Sequence, residues 1–150
     1  MTIAVEAARK GMETGAGGPF GAVIVKGDEI IAVAHNEVIR TNDPTAHAEV
    51  VAIRRASAKL GRFNLSDCEL YSTCEPCPMC LSAIHWAGIR TLYFGADRHD
   101  AAVGGFDETF IYQLMDGTAD SPLLRPIIVE QRECADLFKE WSEKSDRIMY

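Results

Sequence analysis

Three potential metal ligands, His47, Cys77 and Cys80, stand in two short motifs that any fold of this chain must bring to one point. The first motif is His47-Ala48-Glu49 and the second is Pro76-Cys77-Pro78-Met79-Cys80. One imidazole and two thiolates fill three corners of a tetrahedral zinc site and leave the fourth for water. Glu49, two residues beyond the histidine, is then placed to move protons on and off that water.

Neither half-motif decides anything alone. A Cys-x-x-Cys pair by itself serves equally as a redox couple or as half of a structural zinc site. A structural site needs four protein ligands. The spare cysteines and histidines (Cys68, Cys74, Cys134, His35, His85 and His99) form no second ligand pair. Thioredoxin-like chemistry needs no upstream His-x-Glu. Both halves together, in this order, favour a catalytic zinc.

The cysteine segment holds two overlapping pairs, Cys74 with Cys77 and Cys77 with Cys80. Pro78 suits the first position of a helix, where its missing N–H costs nothing. Cys77 is then the N-cap and Cys80 the third helical residue, positions whose side chains converge as in a capping box. The positive end of the helix dipole favours thiolate there. Cys74 falls in an extended stretch before Pro76 and is expected to pack beside the site. His47 and Glu49 impose a different limit, because residues two apart in mid-helix point away from each other. They belong at a helix start, and Asn42-Asp43-Pro44-Thr45 supplies a capping loop before a helix over 50–60 that Gly61 ends. Two helix N-termini should therefore face one metal.

The rest of the chain alternates helices and strands. A helix is expected over 2–14, strands over 20–26 and 29–35 across a Gly27-Asp28 turn, and a strand over 69–72 that delivers the cysteine loop. A helix follows over 78–87, then a strand over 90–96, a helix over 107–115, a strand over 126–131 and a helix over 133–144. Strands separated by helices imply a mixed sheet with helices on both faces. The 150 residues make one domain, 1–150, able to bury roughly 70% of its unfolded surface. The apolar fraction of 47% and charged fraction of 25% suit a soluble protein. No leader or membrane-spanning run is visible, and five cysteines with no disulfide pattern point to a reducing compartment, the cytoplasm by default. A net charge of −7 makes nucleic acid an unlikely principal partner, because phosphate binding needs clustered Lys and Arg.

His-x-Glu followed by Pro-Cys-x-x-Cys is the signature of zinc-dependent nucleobase deaminases. From Gly17 to about Tyr112 the chain resembles the cytidine-deaminase superfamily. Gly18-Pro19-Phe20-Gly21-Ala22-Val23, Asn42-Asp43-Pro44-Thr45-Ala46-His47-Ala48-Glu49 and Cys74-Glu75-Pro76-Cys77-Pro78-Met79-Cys80 resemble its branch of guanine and tRNA adenosine deaminases. Asp100-Ala101-Ala102, the run Gly104-Gly105-Phe106-Asp107-Glu108-Thr109-Phe110-Ile111-Tyr112 and the tail ending in Tyr150 are similar to the small bacterial guanine deaminases.

That resemblance implies a three-layer α/β/α sandwich with a five-stranded mixed sheet, one zinc per chain, and conversion of guanine to xanthine. It implies a small purine base as the partner and a homodimer that can exchange C-terminal segments. Glu49 is the expected proton carrier at the water, and Glu108, beside Asp107, the expected carrier for the leaving amine. Asn36 suits the purine edge because its amide both donates and accepts. Phe20 and Trp86 are candidates to sandwich the ring. The backbone N–H groups of Ala48 and Cys77 are candidates to orient substrate. Tyr150, at the tip of an apolar tail, is a candidate to cover the pocket. A tRNA adenosine deaminase shares the zinc core but should carry basic residues near its C-terminus, where this chain reads Glu140-Trp141-Ser142-Glu143-Lys144-Ser145-Asp146. Other nucleobase deaminases, such as cytosine deaminases, share the core too, and a non-catalytic zinc module would not need Glu49.

Overall fold

The structure is a computed structural model describing residues 1–120 and 124–149. In chain order it contains α1 (Thr2–Glu13), β1 (Gly21–Lys26), β2 (Glu29–His35), α2 (Val38–Thr41), α3 (Ala48–Leu60), β3 (Glu69–Cys74) and α4 (Pro78–Trp86). After these come β4 (Thr91–Ala96), α5 (Arg98–Val103), α6 (Thr109–Asp116) and α7 (Gln131–Glu143).

The strands form one mixed sheet in the order β2-β1-β3-β4. Gly27, at φ +54°, turns the β1–β2 hairpin, and β3 lies antiparallel to β1. β3 and β4 run parallel, which requires a crossover, and α4 supplies it. Alternation along β1 sends Ala22 and Ile24 into the larger core, where they join Ala48, Val51, Ala52 and Ala56 of α3, Leu70 of β3 and Ile84 of α4. The other face is covered by α1 through its small buried residues Ala4, Ala7, Ala8 and Gly11. The α1 backbone rides so close to the sheet that a Cβ on Gly21 would lie 2.0 Å from the Ala4 carbonyl oxygen.

The fold is the expected α/β sandwich, with a correction to its sheet: the described residues form four strands, not five. The apolar run at 126–131 forms no strand. Ile127, Ile128 and Val129 are 70–79% exposed, and within the described residues β4 pairs only with β3. A β-branched apolar run favours a pleated, half-buried surface, and here the run is unpaired, although β4 is an edge strand of the described sheet. Two short helices, α2 and α5, stand where no helix was expected. Residues 124–149, α7 included, are exposed throughout. No described helix is long and apolar enough to cross a membrane.

The close approach at Gly21 gives a direct check on the α1 layer. Gly21→Ala should destabilise the protein by about 1–3 kcal/mol in urea unfolding, because the added methyl meets backbone that cannot rotate away. Unchanged stability would contradict this packing.

Candidate active site

His47 is the N-cap of α3, with extended backbone at φ −66° and ψ 155°, and Cys77 is the N-cap of α4, at φ −60° and ψ 165°. Pro78 opens α4, and the Cys80 N–H donates to Cys77 Sγ at 3.4 Å. The β3 strand ends at Cys74 and hands the chain to this loop, so the sheet sets where α4 begins. The ligand atoms of His47, Cys77 and Cys80 all lie within 4.8 Å of one another. His47 Nδ1 is 3.6 Å from Cys77 Sγ and 3.5 Å from Cys80 Sγ. A tetrahedral zinc with ordinary Zn–S and Zn–N bonds holds sulfur and nitrogen about 3.6 Å apart. The trio fits zinc, with His47 offering Nδ1.

The local charges suit a cation. Hydrogen bonds from the Cys80 thiol and from His47, with the helix N–H of Cys80, pull the Cys77 thiol down to about 4. The Cys77 thiolate in turn raises the His47 pKa, through their hydrogen bond, against the opposing effect of burial. Cys74 is left out of the trio. Its thiol faces the Asp97 carbonyl at 3.6 Å, and burial pushes it up to about 11.

Glu49 is buried beside the trio. Its Oε1 accepts from Ser72 Oγ at 3.1 Å, and its Oε2 accepts from Cys80 Sγ at 3.5 Å. Burial raises its pKa, so the carboxyl holds a proton more readily than a surface glutamate. His47, Cys77 and Glu49 open onto a cavity of about 380 Å³ whose walls include Gly17, Phe20, Asn36, Glu75, Phe106 and Glu108, with Cys80 fully buried behind it. Asn36 is buried, and its Oδ1 accepts from the Val38 N–H at 3.2 Å, leaving its NH₂ for the cavity. Gly17 is required at this point, because a Cβ there would lie 2.1 Å from Asn36 Oδ1.

The adjacent acids Asp107 and Glu108 separate cleanly. Asp107 Oδ1 accepts from the Thr109 N–H at 2.9 Å, and hydrogen bonds from Thr109 hold its pKa low. Glu108, the N-cap of α6, faces the cavity, where burial and the Cys77 charge raise its pKa to about 7.

Of the remaining expected residues, Ala48 is fully buried as the first residue of α3, where its N–H has no partner within the helix. Phe20 lines the cavity, and its aromatic neighbour there is Phe106, edge to face at 4.9 Å. The structure does not bring Trp86 to this cavity. It is 72% exposed at the end of α4, beside Leu137, Phe138 and Trp141 of α7 and the tail residues Ile148 and Met149. Tyr150 lies outside the described residues. Ser72, Glu75 and Phe106 were given no part in the chemistry from the sequence. Only Ser72 carried a local signal, as a polar residue on the inward-facing alternation of β3 with Leu70 and Cys74.

Residues 1–96 match the cytidine and deoxycytidylate deaminase zinc-binding region. The chain belongs to this family and is a zinc-dependent hydrolytic enzyme. Over 147 residues it is 47% identical to a guanine deaminase of Bacillus subtilis, covering 98% of this chain and 94% of the relative. The X-ray structure of guanine deaminase from Bacillus subtilis superimposes with a TM-score of 0.93 at 46% identity, covering 99% of this chain and 95% of that one. A tRNA-specific adenosine deaminase of Aquifex aeolicus is 42% identical over 109 residues, covering 71% of this chain and 72% of the relative.

Elemental analysis of the purified protein should give about one zinc per chain. Cys77→Ala and Cys80→Ala should each lose it, and Glu49→Gln should retain it. Full zinc in Cys77→Ala would contradict the ligand set.

Proposed function

We propose that this protein deaminates guanine to xanthine and ammonia, as a single catalytic domain working in a reducing compartment such as the cytoplasm. The observation that carries the reading is the pair of carboxyl groups, Glu49 and Glu108, facing one cavity beside the zinc trio, with the pKa of each raised. The full-length likeness to a guanine deaminase supports the choice of purine.

Bound zinc, held by His47, Cys77 and Cys80, supplies an activated water and stabilises developing negative charge. Glu49 takes the proton of the attacking water as the C2–O bond forms, and passes it to the adjacent ring nitrogen. Its burial keeps that proton from bulk solvent, and Ser72 fixes the carboxyl against rotation. Glu108 delivers a proton to the exocyclic amine, the C2–N bond breaks and ammonia leaves, while the C2 hydroxyl gives up its proton as the carbonyl forms, and that proton restores the carboxyl. The Asn36 NH₂ donates to an acceptor on the purine edge. Phe20 and Phe106 grip the ring, and the N–H groups of Ala48 and Cys77 orient it.

We further infer a homodimer with exchange of the C-terminal arm. In a single chain the arm leaves Ile127, Ile128, Val129, Leu137 and Phe138 each more than 60% exposed, and large exposed apolar surface marks a protein–protein contact. The run 126–131 would supply a fifth strand to β4 of the partner, and α7 would cover the partner's sheet. Trp86, exposed at the end of α4 and absent from the cavity lining, enters substrate binding only through the second subunit. Tyr150, the last residue of the exchanged arm, is assigned to cover the partner's purine pocket.

Guanine should outpace cytosine, adenine and a tRNA anticodon stem-loop in ammonia release, and a preference for the stem-loop would overturn the reading. Glu49→Gln should be nearly inactive, and Glu108→Gln should lose about 10²-fold or more in kcat with its zinc intact. Glu108 must be protonated to donate, so kcat should fall as the pH rises through about 7, and this limb should be missing from the residual activity of Glu108→Gln. A Glu108→Gln enzyme as fast as wild type would remove that residue from the chemistry. Light scattering should give the mass of two chains, and deleting residues 148–150 should slow guanine turnover without loss of zinc. A one-chain mass would dispose of the exchange.

A further inference from the structure

We propose that Arg98 is a positioning residue that clasps α6 to the zinc loop and so holds the Glu108 carboxyl over the pocket. The inference rests on Glu108 acting as the proton carrier for the leaving amine.

The helix that carries Glu108 is poorly seated. None of its residues is buried, and a groove lined by Leu81, His85 and Met115 separates it from α4. A carboxyl on such a helix needs fixing, because a displacement of about 1 Å can cost 10²-fold in rate. Two ties flank Glu108 in the chain. Before it, Phe106 packs edge to face on Phe20. After it, the Arg98 guanidinium lies over the Tyr112 ring, with Cζ 4.4 Å from the centroid. Tyr112 is one helical turn beyond Glu108, and its N–H donates to the Glu108 carbonyl at 3.4 Å.

The other side of Arg98 is anchored at the zinc loop. Nη2 donates to Glu75 Oε1 at 2.9 Å and Nε donates to Glu75 Oε2 at 3.3 Å, a two-pronged contact. The Arg98 backbone N–H adds a third bond to Glu75 Oε2 at 3.1 Å. Glu75 is the second residue before the zinc ligand Cys77, and its own N–H donates to the Ala96 carbonyl at 2.8 Å. The chain of contacts therefore runs from the loop holding Cys77, through Glu75 and Arg98, to Tyr112 and the turn that starts at Glu108. An exposed ion pair contributes little to stability. The fork geometry and the stacked ring make this one directional instead, a combination that lysine cannot reproduce.

Guanine kinetics and zinc content of Arg98→Ala, Arg98→Lys, Glu108→Gln and the double variant Arg98→Ala/Glu108→Gln test the clasp. Arg98→Ala should keep its zinc and lose about 10-fold in kcat with little change in KM. Arg98→Lys, which keeps charge and stem but not the fork, should lose nearly as much, and it serves if Arg98→Ala folds poorly. In the Glu108→Gln background Arg98→Ala should cost nothing further, because its effect runs through a carboxyl no longer present. Tyr112→Phe keeps the ring and should match wild type. Wild-type kcat in Arg98→Ala and Arg98→Lys, or the same fold loss with and without Glu108, would overturn the clasp while leaving the role of Glu108 standing. A Glu108→Gln enzyme at the wild-type rate would overturn both.

Discussion

The N-termini of α3 and α4 meet at one point, and their convergence is the constraint on which the rest of the molecule depends. His47, Cys77 and Cys80 come from segments thirty residues apart, yet their ligand atoms lie within 4.8 Å. The sheet makes this possible. The parallel pair of β3 and β4 forces a crossover through α4, and the end of β3 fixes where that helix begins. Both helices point their positive ends at the site, which favours thiolate at Cys77 before any metal contributes. The same packing buries Glu49 between Ser72 and Cys80, where it is a better proton carrier than it would be at the surface.

The two sides of the cavity are built to different standards. Its floor is set in the interior: Glu49, Asn36 and Cys77 are all buried. Its outer wall is made by Phe106 and by Glu108, the N-cap of α6, a helix with no buried residue. A rigid floor suits metal binding and the activation of water, whereas a lightly held wall lets substrate enter and product leave. The clasp through Glu75, Arg98 and Tyr112 belongs to that wall, and it ties the second carboxyl to the loop that carries Cys77.

Much of this was legible in the sequence because it follows from local rules. Pro78 fixed the start of α4 and so chose Cys77 and Cys80 over Cys74. The two-residue spacing of His47 and Glu49 required a helix start, and His47 is the N-cap of α3. The hairpin and most helices lay within a residue or two of their expected bounds. What the sequence did not disclose is tertiary. Arg98 and Glu75 are twenty-three residues apart, and no local pattern pairs them. Phe106 displaced Trp86 as the aromatic beside Phe20 because α4 turns its last residue away from the cavity. The run at 126–131 has every local mark of a strand and forms none, because a strand is made by pairing and no described strand pairs with it.

The central claim is that one nitrogen and two sulfurs hold a zinc whose fourth position is open. X-ray absorption at the zinc edge of the purified enzyme reads that shell directly. The account requires two sulfurs at about 2.3 Å and two lighter atoms near 2.0 Å, one from His47 and one from water. It further requires that the water's signal change when a purine analogue fills the pocket, while the sulfur count stays fixed. A shell of three sulfurs would bring Cys74 into the site and make it structural, and that result would contradict the account.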